Sequence, residues 1–289
     1  MKRLDNLLVV IALFCSIFFT ACTVDNIDNP SVTPEVKPIE NDMMDTSVKP
    51  GDDFFRYCNG KWIDALTVDL GAEKPDKQYY GFFPTEIQKT NAIQIYPVFL
   101  SEPFISSNGL SVEMFAYSMI YAHEMTHGFD SKGALYDKYG SVGSIIAEAD
   151  KAEFSKRIQL LDDCYNSMET LPGSKVMCDG KTTEQENIAD LGGFLIAYDA
   201  CKAWLEEEKG IKGEDLKQQM RQFCIAYGNL WRSKYTLEYV KESIGYDGHS
   251  YTRERVNGVV RNSDAWYELF DIKLGDALYL APEKRAYIW

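Results

Sequence analysis

The strongest constraint on the fold of this chain is a short histidine motif. Only three histidines occur in the 289 residues, and two of them lie four positions apart in His123-Glu124-Met125-Thr126-His127. On an α-helix this spacing places both imidazoles on one face, where together they can bind a zinc ion, with Glu124 beside the metal-bound water. The motif therefore predicts a helix over these residues.

The residues before the motif support a buried helix. Ala116, Met119 and Ile120 precede His123 and His127 at intervals of three or four, so the two imidazoles continue an apolar stripe. An HExxH segment also occurs as a pair of core histidines that hydrogen-bond to nearby carbonyls. The motif alone leaves the metal site and the core pair open.

A second acidic segment supplies a candidate third ligand. The stretch ENIAD at 186–190 opens a second predicted helix, in which Glu186 and Asp190 stand one turn apart and Gly192 and Gly193 follow. Each glycine costs roughly 1 kcal/mol relative to alanine inside a helix, so the pair indicates close packing against a neighbour, which we take to be the HExxH helix. Asp190 is then placed to orient a ligating histidine.

Glu186 has an alternative interpretation as a helix cap. Thr183 stands three residues before it, which satisfies a capping box. A two-histidine zinc site needs a third protein ligand, and no other segment pairs two acids with a face of small residues, so we favour the ligand. The expectation is one zinc per chain.

The third histidine, His249, stands in a Gly-His-Ser segment. A hydrogen-bond donor there could stabilise the oxyanion of a tetrahedral intermediate. From the residues alone, a structural or incidental role in a loop is the favoured interpretation.

The first 21 residues predict an export signal. Lys2 and Arg3 precede an apolar run over 7–19, and the segment Thr20-Ala21-Cys22 resembles the cleavage site of a bacterial lipoprotein, in which the cysteine is lipidated. Ordinary secretion is the alternative. Either interpretation places the protein outside the cytoplasm, in the cell envelope, and the lipoprotein interpretation anchors it to a membrane through Cys22.

The remaining chain predicts a tether and one domain. Residues 22–49 are rich in proline and polar side chains, which is typical of a flexible tether, and residues 50–289 show mainly helical periodicity with a little sheet. The chain carries 44 acidic and 30 basic residues, a formal charge of −14, which disfavours nucleic acid as a partner.

Several sequence blocks together resemble the neprilysin and endothelin-converting family of zinc peptidases. In chain order they are PGDDFFRYCNGKW, NAIQ, HEMTHGFD, ENIADLGG, FCIAYGNLWR, GHS, RVNGVVRNS and APEKRAYIW. The resemblance implies an α+β, mainly helical, thermolysin-like catalytic domain with a small sheet and an HExxH helix. It implies zinc binding by His123, His127 and Glu186.

The same resemblance implies roles for further residues. Glu124 is the expected general base, Asp190 orients a ligating histidine, and His249 donates to the oxyanion. Three residues are expected to bind the substrate main chain: Asn91, Ala92 and Arg255. The implied function is that of a zinc metalloendopeptidase acting on extracytoplasmic peptides or exposed protein segments.

The chain departs from the family between Trp62 and Asn91. Family members insert there a helical lobe that covers the active site, whereas only residues 63–90 stand here. Its loss puts the limit on substrate size in doubt. The alternative is a membrane-anchored remnant that binds peptides without cleaving them, or that needs a separate protein partner in place of the lobe.

Overall fold

Helices form most of the part of the chain that can be described. The computed structural model describes residues 42–65, 72–73, 85–87, 92–95, 97–100, 104–105, 109–246 and 248–289. The α-helices within these ranges are α1 Phe54–Ala65, α2 Val112–Tyr117, α3 Met119–Thr126, α4 Lys151–Asn166, α5 Glu184–Ala203, α6 Gly213–Leu230, α7 Leu237–Ser243, α8 Thr252–Val260 and α9 Asp264–Phe270. Shorter helical turns cover Pro97–Leu100, Gly133–Leu135, Glu148–Asp150, Trp204–Glu208 and Pro282–Lys284.

The strands among the described residues are short and form two antiparallel pairs. Strand β1 (Ala72–Glu73) pairs with β4 (Lys234–Tyr235), and β2 (Thr85–Ile87) pairs with β3 (Ala92–Gln94). Cα atoms of β2 come within 8 Å of helix α3, so the β2–β3 hairpin borders the HExxH helix. The predicted mainly helical α+β class is confirmed, with the strand content divided between two small sheets.

Helix α5 lies at the centre of the core. It packs against α2, α3, α4, α6 and α8, and its side chains Ile188, Leu191 and Phe194 are fully buried. Phe194 makes edge-to-face ring contacts with Phe223 and Tyr227 of α6. A 20-residue helix surrounded on several sides is apolar over more than one face, and α5 therefore fixes its neighbours relative to one another.

The HExxH helix is confirmed, but it does not continue unbroken from α2. Helix α2 ends at Tyr117 and α3 starts at Met119, and the Ser118 hydroxyl between them donates to the Phe115 carbonyl at 2.9 Å. A serine that bonds back to its own helix competes with the regular ladder and bends it. The apolar stripe survives the bend, since Ala116 and Met119 are both fully buried.

Helices α3 and α5 approach closely, as the glycine pair predicted. A Cβ atom on Gly193 would lie 2.8 Å from the His123 backbone nitrogen and 2.8 Å from the Met119 carbonyl oxygen. Those contacts are with backbone, which cannot move aside as a flexible side chain can. At Gly192, a Cβ atom would meet Thr126 of α3 and the ring of Trp289. Only a residue without a side chain fits at either position.

The packed part of the chain begins earlier than predicted. The tether was expected to reach residue 49, but Met44 is buried, the Asp45 amide donates to the Tyr57 carbonyl at 3.0 Å, and the Lys61 amide donates to the Met43 carbonyl at 3.0 Å. Residues 43–45 therefore lie along α1. Polar composition suggested a solvated segment, whereas backbone hydrogen bonds to a helix hold it in place.

The predicted signal segment, Cys22 and most of the tether lie outside the described residues. No helix in the described ranges combines the length and apolar character needed to cross a membrane. All described residues belong to one unit, Val36–Trp289.

One carboxyl on α8 is buried without a hydrogen bond of regular geometry. Glu254 is fully buried, and neither of its oxygens has such a bond. Burial raises the pKa of this carboxyl to about 8, and its own backbone amide, the charge of Arg253 and the Thr170 hydroxyl oppose that effect only in part. Glu254 is therefore a neutral acid in the folded protein at neutral pH.

The stability of the fold should depend on pH through Glu254. Its folded pKa of about 8 exceeds the value of 4.5 for a free glutamate, so its proton stabilises the fold fully below pH 4.5, and this stabilisation is lost as pH rises toward 8. We expect Glu254→Gln to raise the Tm at pH 8 by on the order of 5 °C and to change it little at pH 4.5. Thermal unfolding followed by circular dichroism across this range measures the difference.

Exposed Glu238 on α7 provides the control for this effect. Glu238→Gln should leave the Tm difference from the unmodified protein constant across the same pH range. Equal Tm values for the unmodified protein and Glu254→Gln at every pH would contradict a neutral Glu254.

Candidate metal centre

The two histidines of the motif converge at the end of α3. His123 lies in the last turn of the helix and His127 is its C-cap residue, so the four-residue spacing turns both side chains the same way. Their Nε2 atoms are 3.2 Å apart, and the rings are nearly perpendicular, with centroids separated by 4.7 Å. Two nitrogens are thus directed at one point.

Glu186 in the first turn of α5 completes the group. Its Oε2 lies 3.2 Å from His123 Nε2, and its Oε1 lies 3.4 Å from His127 Nε2. One ligand atom from each of the three residues lies within 4.8 Å of the others. Among the residues that the structure describes, this is the one group of three or more such side chains with the spacing of a metal site.

The capping-box interpretation of Glu186 is wrong. The Thr183 side chain makes no hydrogen bond that caps α5; its hydroxyl instead donates to the Asp179 carbonyl at 2.9 Å. Glu186 faces the imidazoles of α3 because it lies at the end of α5 that packs against them. The two roles are indistinguishable in sequence because both require an acid in the first helical turn.

Each histidine is oriented through its Nδ1 atom by a buried carboxylate. His123 Nδ1 lies 2.8 Å from Asp190 Oδ1, and His127 Nδ1 lies 2.8 Å from Asp130 Oδ2. Both acids are fully buried. The outer N–H of each ring is thus committed to a carboxylate, which directs the Nε2 lone pair inward. The interpretation of the histidines as a core pair bonded to carbonyls is therefore wrong.

Sequence reasoning found Asp190 but missed Asp130. Asp130 stands three residues after His127, in the loop that folds back over the end of α3, and its Oδ1 accepts from the Lys132 and Gly133 amides, both at 2.7 Å. A Cβ atom on Gly133 would lie 1.8 Å from the His127 carbonyl oxygen, so the tight loop requires glycine. The aspartate within HGFD was the available signal, but its use depends on the loop conformation.

Arg255 of α8 holds the carboxylate that orients His123. Its Nε and Nη2 atoms donate to the two Asp190 oxygens, both at 2.6 Å, and its guanidinium lies 3.8 Å above the Trp231 ring. Nη2 is also 3.9 Å from Glu186 Oε2. The predicted contact of Arg255 with a substrate carbonyl stays a prediction, and the structure adds a bidentate ion pair with Asp190.

His249 reaches the same group from the loop before α8. Its Nε2 lies 3.2 Å from Glu186 Oε2, and 52% of its side chain is exposed. It is a loop residue, as the residue pattern indicated, yet the fold brings it to a candidate metal ligand. Its predicted role toward an oxyanion stays a prediction.

The electrostatics of the group favour a bound cation. Burial lowers the pKa of His123, but Asp190 and Glu186 outweigh burial and raise that pKa to about 9. Burial raises the pKa of Glu186, but His123 and His249 outweigh it and hold this pKa well below its usual range. A site that favours a protonated imidazole and an ionised carboxyl also favours a divalent metal ion.

The donor set fits zinc. Glu186 Oε2 is buried between His123 and His249, yet it forms no hydrogen bond of regular geometry with either. If a metal displaced the proton of His123, the two Nε2 lone pairs and the Glu186 oxygen would hold one cation, and a His2Glu set is typical of catalytic zinc. His123, His127 and Glu186 would hold the ion.

The remaining predicted residues are only partly described. Asn91 lies outside the described residues, and Ala92 begins strand β3, with its side chain not described. The pairing of both residues with a peptide main chain therefore stays a prediction. Glu124 lies on α3 with one oxygen 4.0 Å from His123 Nε2, and its role as general base stays a prediction.

An HExxH helix packed against a second helix that carries the glutamate ligand and an orienting aspartate defines the metal centre of a metallopeptidase domain. Comparison with known families agrees: the model described as "Peptidase family M13" matches residues 87–286, more than two thirds of the chain. The chain therefore belongs to peptidase family M13.

The chain matches only part of the length of each relative. The chain is 31% identical over 201 residues to the neutral endopeptidase of Lactococcus lactis subsp. lactis (strain IL1403), covering 69% of this chain and 30% of that protein. It is 29% identical over 201 residues to human neprilysin, covering 68% of this chain and 26% of neprilysin. The chain thus spans about 30% or less of the length of these two relatives.

A solved structure shows the same fold. The zinc metalloprotease ZMP1 of Mycobacterium tuberculosis, in complex with an inhibitor, aligns with a TM-score of 0.64 at 29% identity, over 74% of this chain and 34% of that one. PepO from Lactobacillus rhamnosis aligns with a TM-score of 0.61 at 28% identity, over 71% of this chain and 31% of that one.

Asp130 should tune metal affinity. We expect Asp130→Asn to weaken zinc binding by roughly 10- to 100-fold, because the amide no longer provides the charged acceptor that fixes the His127 tautomer. Competition with a chromophoric chelator measures the affinity. Asp163→Asn, a change at an exposed position of α4, is the control and should bind zinc like the unmodified chain. Unaltered affinity in Asp130→Asn would show that the His127 contact has no influence on the metal.

Proposed function

We propose that this protein is a zinc-dependent metalloendopeptidase that hydrolyses peptide bonds in extracytoplasmic peptides or exposed protein segments. The observation that carries the proposal is the convergence of His123, His127 and Glu186 within 4.8 Å, with Glu124 beside them. Membership in peptidase family M13 and the resemblance to neutral endopeptidases support it.

Zinc, when bound there, would polarise the scissile carbonyl and lower the pKa of an attacking water. Side chains of the protein transfer the proton and orient the ligands. Glu124 is a buried carboxylate next to His123 Nε2, which suits it to take the proton of that water and pass it to the leaving amine. Asp190 and Asp130 hold the imidazoles with Nε2 directed inward, so the ligand atoms are arranged before substrate arrives.

His249 is suited to stabilise the developing oxyanion. Its imidazole lies 3.2 Å from Glu186 and remains half exposed, so it contacts the metal group while part of the ring stays accessible to a substrate. Donors placed where charge develops contribute about 3 to 4 kcal/mol to the barrier in comparable hydrolases. We assign it that role because the resemblance to the neprilysin family implies an oxyanion donor at this position and the fold brings His249 to the candidate metal centre.

The second candidate is a partner-dependent or non-catalytic peptide-binding module. It is favoured by one observation, that only residues 63–90 stand where the resembling family inserts a helical lobe over the active site. A separate protein would then take the place of that lobe. Activity that emerges only in a complex distinguishes this candidate from a self-sufficient peptidase.

Replacing Glu124 separates metal binding from catalysis. We expect Glu124→Gln to retain about one zinc per chain and to lose at least ~100-fold in kcat, because the amide cannot accept a proton. Metal content by atomic emission and cleavage of an unbiased peptide mixture measure the two properties. Glu268→Gln, at an exposed position of α9, is the control and should cleave normally.

The results for Glu124→Gln and the unmodified protein distinguish the two candidate functions. Cleavage by Glu124→Gln at the normal rate would overturn the assignment of the base. Zinc in both proteins with no cleavage by either would favour the partner-dependent module.

We also propose that Cys22 anchors the protein to a membrane of the bacterial envelope. The basic start, apolar run and small residues before Cys22 support this proposal, and the charge of −14 argues against an electrostatic attachment to anionic lipid. In a bacterial host supplied with labelled palmitate, we expect Cys22→Ala to abolish incorporation and Cys15→Ala to preserve it. Equal labelling of both variants would refute a lipidated Cys22.

A further inference from the structure

A buried polar cluster joins the start of α5 to the loop that precedes α8. Its members are Thr183, Asn187 and Ser250, whose relative exposures are 5%, 0% and 6%. Ser250 stands 63 residues from Asn187 in the chain, so only the fold brings them together. We call these three residues the Ser250 latch.

The latch is a directed series of hydrogen bonds. The Ser250 hydroxyl donates to Asn187 Oδ1 at 2.8 Å, Asn187 Nδ2 donates to Thr183 Oγ1 at 2.8 Å, and the Thr183 hydroxyl donates to the Asp179 carbonyl at 2.9 Å. The Ser250 and Thr183 oxygens are also 3.0 Å apart. Asn187 and Thr183 each donate and accept, and the Ser250 hydroxyl donates, so these buried groups satisfy one another.

Two members of the latch directly follow residues of the candidate metal centre in the chain. Asn187 follows Glu186 on α5, and Ser250 follows His249 in the loop. The side chains of Glu186 and His249 approach to 3.2 Å on one side of this connection. The latch therefore connects the same two segments, the start of α5 and the loop before α8, that the contact between Glu186 and His249 connects.

The loop before His249 needs such an anchor. Gly245 has a φ of +82°, and neither Gly245 nor Gly248 has a side-chain or backbone atom within 4 Å of a would-be Cβ. Glycines in open surroundings leave a segment with high conformational freedom, and half of the His249 side chain is exposed. Ser250 is the first buried residue after this stretch, so its bonds to Asn187 and Thr183 hold the backbone next to His249 against the start of α5.

We propose that Ser250, through Asn187, is a positioning residue that fixes His249 over the metal centre; the catalytic consequence rests on the proposed peptidase function. The hydrogen bonds of the latch attach the loop directly to α5. Without it, His249 would sample positions displaced from Glu186, and a displacement of about 1 Å can reduce a rate by up to ~100-fold.

Removal of the Ser250 hydroxyl tests the proposal in the zinc-loaded chain. We expect Ser250→Ala to lower kcat by roughly 10- to 100-fold with little change in KM, because an oxyanion donor acts in the transition state. Zinc content should stay the same. In a His249→Ala background, adding Ser250→Ala should change kcat less than about twofold, since the latch acts only through that histidine.

A second readout does not need activity. The chain has three histidines, so the ring resonances of His249 in a carbon–proton correlation spectrum are assignable by comparison with His249→Ala. We expect Ser250→Ala to shift and broaden the His249 resonance while those of His123 and His127 stay in place. This measurement tests the positioning role of Ser250 even if the unmodified protein cleaves no peptide. Absence of cleavage would overturn the proposed function but not the positioning role.

Ser233 is the matched control. It is also a buried serine, and its hydroxyl pairs with that of Thr252, three residues after His249 at the start of α8. Ser233→Ala should leave kcat and the His249 resonance unchanged. The proposal is overturned if Ser250→Ala leaves both readouts unchanged, if its effect adds fully to that of His249→Ala, or if Ser233→Ala produces the same shift.

Discussion

The packing of α3 against α5 is the contact on which the candidate centre depends. The backbone of α5 at Gly193 touches the backbone of α3 at His123 and Met119, so closely that a Cβ atom could not be inserted. This contact sets the distance between the helices, and the residues one and two turns earlier on α5 then fall opposite the imidazoles. Asp190 meets one ring at its outer nitrogen, and Glu186 meets both at their inner nitrogens.

Charge compensation extends this helix pair into the rest of the fold. Asp190 is fully buried, and burial raises its pKa, but Arg255 and His123 outweigh burial and keep the carboxyl ionised. Arg255 is in turn held by the face of the Trp231 ring, and the Tyr227 hydroxyl donates to the Arg255 carbonyl at 2.8 Å. A buried charge persists only where its partners are fixed, so α6 and α8 contribute to the metal centre without supplying a ligand.

The sequence predicted the parts of the site that depend on local geometry. The spacing of His123 and His127 specifies one helix face whatever surrounds it, and two glycines after Asp190 indicated a close neighbour. The sequence did not reveal the role of Asp130, although it stands only three residues after His127, because the contact between them depends on the conformation of the loop. The packed start of the domain was missed for a related reason, since the segment at Met44 is held by backbone hydrogen bonds that side-chain composition does not reveal.

By itself, the sequence determined the class of chemistry: two imidazoles at helical spacing, an acid between them, and one further acid on a second helix whose small residues allow contact. Tertiary structure decided which role each acid has. Glu186 could cap a helix or act as a metal ligand, and packing of α5 against α3 turns its carboxylate toward the two imidazoles. The meeting of Ser250 with Asn187, of Arg255 with Asp190, and of His249 with Glu186 joins residues more than 60 positions apart. No local period specifies such contacts, because the shape of the whole core determines which distant side chains become neighbours.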